Sequence, residues 1–160
     1  MSTVTLSVKE RVLQQLQKLI ESMSEDANNG VYFEHVQRSE LEEHQRSQGM
    51  CCAILDTVET FVYQTVYLQC TMQVGLDVSV RMRLGDVPST RQAQVLAEIK
   101  KTLLSNYILV EENTFAQLTE NIQLREYLPD PSSANDDVIT AFVTFDVIYR
   151  EHKENPYQLM

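Results

Sequence analysis

The residues best suited to chemistry lie in one polar segment, SELEEHQRSQG, from Ser39 to Gly49. Its side chains include three carboxylates and an imidazole, the groups used for general acid–base catalysis: Glu40, Glu42, Glu43 and His44. Such groups become catalytic when their surroundings shift their pKa values, and the segment itself is strongly polar. We therefore expect a solvated, mobile loop here rather than a catalytic site.

The three cysteines do not form a recognisable metal or redox motif. Cys51 and Cys52 are adjacent, Cys70 stands alone, and the three histidines are scattered along the chain. This arrangement favours reduced, buried thiols, with no metal site and no cofactor. The sequence also lacks GxSxG, P-loop, GxGxxG and HExxH motifs and has only 4 glycines, so we expect a protein that is not an enzyme.

The overall charge limits the kinds of partner. A formal net charge of −10 argues against a surface that grips nucleic acid, since phosphate binding needs clustered Lys and Arg. No run of 18 apolar residues occurs, and the start of the chain lacks the basic-then-apolar order of a signal peptide. These features predict a chain that stays in the cytoplasm.

The periodicity predicts two helices and several strands. The first helix runs from Ser7 to Ser24 behind a Ser7–Glu10 capping box, and the second follows Pro88 behind a Ser89–Gln92 box. Besides the long strand described next, strands are predicted near Val31–Arg38, Met50–Leu55 (before a DTVE turn), Phe115–Glu126 and, at the centre of the sheet, Val138–Arg150, with a loop over Leu128–Asp137. The expected fold is a single α+β domain over residues 1–160, with two main helices packed on a mostly antiparallel β-sheet.

One predicted strand, Val66–Leu84, is unusually long. Every even-numbered residue in it is apolar, so it should have one buried face. At ~3.3 Å per residue it would span roughly 63 Å, whereas a domain of this size is only about 40 Å across. We expect Gly75 to mark a bulge or sharp twist, and part of the strand to project and pack against a second copy. Val78 and Val80 are the predicted interface residues.

The order of these features resembles that of a known family. The chain has an N-terminal helix, the strand CAILDTVE ending in an acidic turn (Cys52–Glu59), the long alternating strand, the helix Thr90–Ser105, and a closing segment VIYREHKENPY (Val147–Tyr157). In these features, which span about residues 5 to 157, it resembles the tail terminators, or minor tail protein U-like proteins, of long-tailed bacteriophages.

The resemblance implies a structural role in the virion. Such proteins form homohexameric rings at the head-proximal end of the tail, cap the tail-tube protein, stop its polymerisation and meet the head–tail connector protein. In that setting DNA would pass through the lumen without specific binding, and Glu40, Glu42 and Glu43 would be lumenal or tube-facing. The acidic balance suits such a channel, although it equally suits simple solubility before assembly in the host cytoplasm.

The C-terminal tail and the choice of function leave alternatives. Because Pro156 has no N–H, we expect Tyr157 onward to lie outside the final strand, either frayed or with Tyr157 and Leu159 docked on a neighbouring subunit or the tail tube. Another head–tail completion protein or a tube subunit is an alternative function. A small α+β enzyme or ligand-binding domain is a more distant one, and it would require a deep pocket with convergent polar groups.

Overall fold

A curled six-stranded sheet dominates the computed structural model, which describes residues 4–130 and 137–160. The elements in chain order are α1 (Val8–Glu21), β1 (His35–Gln37), α2 (Glu43–Gln48), β2 (Cys51–Tyr63), β3 (Tyr67–Arg81), α3 (Pro88–Ser105), β4 (Asn121–Pro129), β5 (Val138–His152) and β6 (Asn155–Leu159). The strand order is β1–β2–β3–β5–β4, with β6 pairing with β5 beyond β4. Only the β1–β2 pair is parallel. The expected mixed class is therefore confirmed, although the sheet outweighs the helices more than predicted.

The long predicted strand is continuous, as expected, but its apolar face does not project. The even-numbered residues from Cys70 to Val80 are all buried within the chain. They form one core with side chains of α1 and α3, including Leu16 and Ile99. Because this chain's own helices cover that face, the excess-length argument for a projecting strand is wrong for this part of β3.

Gly75 does not mark a bulge in β3. It pairs in regular register with Leu55 on β2 and with Thr144 on β5. A Cβ at this position would overlap the ring of Phe142, so the glycine allows that ring to lie across the strand. The irregularity lies instead in β2, between Asp56 and Glu59, where β2 continues through the predicted DTVE turn.

The predicted capping box is present at the start of α1 but not at the start of α3. The Ser7 Oγ accepts a hydrogen bond from the Glu10 N–H at 3.2 Å, as its capping box predicts. At α3 the N-cap is Val87, without a side-chain cap, and Pro88 occupies the first turn. The predicted Ser89–Gln92 box is therefore wrong, and the Gln92 side chain donates instead to the Thr140 carbonyl at 3.2 Å.

The polar segment 39–49 is not a mobile loop. It contains α2, which packs on the sheet face opposite α1 and α3. Arg46 forms an ion pair with Asp77 at 2.5 Å and accepts, through its carbonyl, a 2.6 Å hydrogen bond from the Ser79 hydroxyl. Burial raises the pKa of Asp77, and the Arg46 charge opposes this shift. The polar face of β3 is thus covered as well, which its alternating pattern did not predict.

The C-terminal residues form a strand rather than a frayed tail. β6 folds back on β5, with Leu159 opposite Glu151 and Asn155 opposite His152. Leu159 packs against the main core, whereas Tyr157 is about half exposed. The prediction that Pro156 ends sheet pairing is therefore wrong, because β6 contains Pro156 and pairs with β5 again at Leu159. Of the loop predicted over Leu128–Asp137, the first two residues belong to β4, and 131–136 lie outside the described residues.

A buried arginine ties three segments together. Arg91 on α3 is only 2% exposed. Its guanidinium donates to the carbonyls of Gly30 at 2.9 Å, Asn29 at 3.3 Å and Arg81 at 3.2 Å, and to the Gln94 side chain at 2.7 Å. Because a planar guanidinium can serve several acceptors at once, this one side chain joins residues 29–30 and the end of β3 to α3.

Replacing Arg91 with methionine should lower the free energy of unfolding by about 3–5 kcal/mol, because the hydrogen bonds of this buried, charged donor to three carbonyls and Gln94 would be lost. Urea denaturation followed by circular dichroism measures this loss. Arg83→Met is the matched control, since Arg83 also donates to Gln94 but its side chain is 53% exposed. Equal, small losses in both variants would show that Arg91 does not hold these segments together.

Candidate assembly surface

The far end of the β2–β3 hairpin carries a concentration of exposed apolar side chains. We call residues 59–63 of β2 and 66–72, which end the turn and begin β3, the arm. The apolar side chains of the arm that remain exposed are Phe61 at 52%, Val62 at 53%, Tyr63 at 72% and Val66 at 60%. In an isolated chain these side chains are in water, and contiguous exposed apolar surface marks interaction sites.

One face of the arm continues the core face of the sheet. Phe61 lies opposite Cys70, which in turn lies opposite the buried Tyr149, and directly opposed residues share a face. Glu59 is still covered, because Lys9 of α1 reaches it at 3.2 Å and the Tyr149 hydroxyl donates to it. Beyond Glu59 the same face becomes exposed at Phe61. The arm is therefore where the core face of the sheet extends beyond its cover.

The backbone edge of the arm is also open. β1 pairs only with Cys51–Ala53, so among residues 4–130 and 137–160 the rest of β2 has no strand on its outer side. The arm segment Thr60–Tyr63 has neither charge nor proline. The opposite sheet edge, β4, has Arg125, Glu126, Pro129 and a register shift, which are devices that block edge pairing. β2 has a register shift between the charged residues Asp56 and Glu59, but Thr60–Tyr63 lie beyond it, so the arm is a candidate for pairing or packing with another chain.

A second exposed aromatic is held in a rigid loop. We call residues 111–116 the Phe115 loop. The Phe115 ring is 83% exposed, and its backbone has a positive φ of 56°, which is strained for a bulky residue. The loop is closed by backbone hydrogen bonds from Phe115 N–H to the Glu111 carbonyl at 2.8 Å and from Glu111 N–H to the Ala116 carbonyl at 2.9 Å.

An ion pair fixes the Phe115 loop to α1. Two guanidinium nitrogens of Arg11 each donate to a Glu111 carboxylate oxygen at 2.8 Å, and the Thr114 hydroxyl donates to the same carboxylate at 2.6 Å. These bonds lower the pKa of Glu111 to about 2. The pair therefore stabilises the loop above the ordinary glutamate pKa, near 4.3, and is lost as the pH falls toward 2. At neutral pH the Phe115 ring is presented on a preorganised support.

Two of the residues predicted to form the subunit interface are buried within the chain, and one is exposed. Val78 is 1% exposed and Val80 is fully buried, so neither side chain is available to a neighbouring subunit in this fold. Tyr157 lies on β6 at 51% exposure. The arm was missed, although the consecutive apolar residues Phe61, Val62 and Tyr63, just after the predicted DTVE turn, were a usable signal.

The three glutamates of the predicted lumenal group are all exposed and close together in the sequence. Glu42 is the N-cap of α2, and Glu43 lies in its first turn. The Glu42 carboxylate lies 3.1 Å from the His44 ring, and burial, together with the Glu40 charge, raises the pKa of Asp77. The three exposed glutamates therefore offer negative charge to whatever lies outside α2.

The clefts of the described residues are shallow. One of about 410 Å³ lies between the start of α1, the Phe115 loop and Tyr157. Its Arg11 and Glu111 are already paired with each other. In the described ranges no group of three or more His, Cys, Asp or Glu side chains could hold a metal ion, and no helix is both long and apolar enough to cross a membrane.

Comparison with known proteins gives no identification. No family model matches the chain, and no curated protein matches it. The features that bear on function are the arm, the Phe115 loop and the resemblance in the order of sequence features.

Proposed function

We propose that this chain is a structural subunit of a phage tail terminator, a homohexameric ring at the head-proximal end of the tail. The ring would cap the last ring of tail-tube protein, stop its polymerisation and meet the head–tail connector protein. Assembly would take place in the host cytoplasm before incorporation into the virion.

The observation that carries the proposal is the exposed and unprotected arm. In a soluble monomer, an uncharged open edge with four exposed apolar side chains would promote aggregation. In a ring subunit the same edge is not exposed, since a closed ring covers that surface on every copy. Two separate exposed regions, the arm and the Phe115 loop, also suit a ring, in which one surface meets a different surface of the next copy.

The test is the native mass of the assembly, with and without tail-tube protein, together with negative-stain images. Closed single rings that shorten or cap tubes are expected. Long tubes formed by the pure chain would indicate a tube subunit instead. A chain that stays monomeric and does not bind tube protein at any concentration would contradict the proposal.

The exposed glutamates of α2 provide a test of where the DNA would pass. If Glu40, Glu42 and Glu43 line the lumen, changing all three to lysine should leave ring formation intact, because their carboxylates are in solvent. The rings should then retain DNA at low salt and release it as salt rises, since Lys–phosphate contacts depend steeply on salt. Filter binding over a salt series measures this.

A control triple variant separates position from net charge. Glu21, Glu25 and Asp26 are exposed near the end of α1, and replacing them with lysine also moves the net charge from −10 to −4, two units per substitution. DNA retention by the α2 variant alone supports the lumenal assignment. Equal retention by both variants, or none by either, would place these glutamates away from the DNA path.

A further inference from the structure

We infer that the arm of one subunit binds the Phe115 loop of the next, so that a single heterologous contact repeats around the ring. The inference rests on the proposed function in that the second copy is the adjacent subunit of that ring. It assigns the partner of the arm to this same chain rather than to the tail tube or the connector.

The arm is large enough to form the centre of such a contact. Phe61 and Tyr63 share one face of the arm, because successive side chains of a strand alternate between its two faces. At 52% and 72% exposure these two side chains could bury roughly 250 Å² if an aromatic side chain covers about 150–250 Å². A stable interface buries about 800 Å² on each partner, so this face of the arm would supply roughly a third of one side. Adjoining backbone and polar side chains would supply the rest.

The Phe115 loop has the properties of the opposing element. Aromatic residues are the usual anchors of protein interfaces, and a rigid support reduces the entropy lost on binding. The Phe115 ring is more exposed than any aromatic side chain of the arm. Its strained φ is maintained by the Glu111 hydrogen bonds and the Arg11 ion pair. A strained, rigid and exposed aromatic is best explained by a partner surface that receives it.

Charged groups lie beside both elements. The Lys153 ammonium lies 5.9 Å from the centre of the Tyr63 ring, at the tip of the arm. The Phe115 loop begins with Glu111 and Glu112, which pair within the chain with Arg11 and Lys18, and the Glu112–Lys18 pair is long, at 3.4 Å, and exposed. Such a pair is weak, so within a ring contact Lys153 would share the Glu112 carboxylate with Lys18. Two arms pairing with each other would bring Lys153 toward its own copy, which is less favourable.

Site-directed cross-linking tests the contact without disturbing it. Gln64 and Asn113 are exposed polar residues beside Tyr63 and within the Phe115 loop, so Gln64→Cys and Asn113→Cys preserve both apolar surfaces. The native thiols Cys51, Cys52 and Cys70 are buried, and burial raises the pKa of Cys70 to about 12, so they should not react. The double variant is treated with a short bis-maleimide and run under denaturing conditions.

The expected result is a ladder of covalent oligomers ending at the ring size in the double variant. Each single variant should remain monomeric on the gel, as should a control with Gln64→Cys and Ser89→Cys on the exposed start of α3. Cross-linked dimers from Gln64→Cys alone would show arm-to-arm packing and overturn the inference.

Native mass measured on the same samples distinguishes the two failures. Intact rings without a ladder would overturn the arm–Phe115 contact but leave the proposed function standing. A chain that stays monomeric, with and without tail-tube protein, would overturn both.

Discussion

Replacing Val78 with aspartate is expected to remove a large part of the stability of the fold and to lower its melting temperature strongly. Val78 lies opposite Cys52 on β2 and Ala141 on β5, and it is 1% exposed in the core beneath the helices. An unpaired carboxylate there would lose its hydration without gaining a partner, which destabilises by more than about 4 kcal/mol. Folded domains have only about 5–15 kcal/mol of stability. Far-ultraviolet circular dichroism and a thermal melt measure the loss.

Val62→Asp and Val78→Ala are the control variants for Val78→Asp. Val62→Asp makes the same change at an arm position that is 53% exposed, so its melting temperature should stay close to that of the original chain. Val78→Ala removes only methyl groups, so it should lower stability by about 1–3 kcal/mol and still fold. If Val78→Asp melted normally but failed to form rings, Val78 would be an interface residue after all.

The second large effect is expected at the tip of the arm, where Tyr63→Asp should abolish ring formation while preserving the fold. The Tyr63 side chain is 72% exposed, so a carboxylate there remains hydrated in the monomer. In a ring contact the same charge would be buried against an apolar partner and beside Glu112 of the next copy. We expect at least a hundredfold weaker association, about 3 kcal/mol or more per contact. Analytical ultracentrifugation over a concentration series measures it.

Leu84→Asp is the matched control for this variant. Leu84 is an even more exposed apolar residue, but it lies in the loop between β3 and α3, away from the arm. Its substitution should leave both the melting temperature and the ring unchanged. Tyr63→Phe should also assemble, because the ring and not the hydroxyl provides the buried area. Loss of rings in Leu84→Asp, or normal rings in Tyr63→Asp, would move the interface elsewhere.

The sequence predicted the elements whose hydrophobic pattern has one clear period. The period-2 pattern of β3 and β5 correctly identified the residues that face the main core, such as Val74 and Phe145. The helical stripe and capping box of α1 were equally informative, because local hydrogen bonds and one buried face determine such a helix.

Features that depend on contacts far along the chain were not predictable. α2 is held on the sheet through Arg46, Asp77 and Ser79, and polar residues carry no hydrophobic period that would reveal such a contact. Arg91 was missed for the same reason, since its acceptors are backbone carbonyls that any sequence supplies. The surface character of the arm depends on where the cover of α1 ends, near Glu59.

The pairing of β3 with β5 has a consequence for biosynthesis. β3 is made early, but its partner β5 follows only after α3 and β4, near the end of the chain. While the ribosome is still translating, the β2–β3 hairpin therefore has an open edge on the β3 side as well as on the arm. Distant strand pairing is slow because a long loop must close first. Nascent chains on neighbouring ribosomes are accordingly most prone to stick together through β3, in the interval before β5 emerges and completes the sheet.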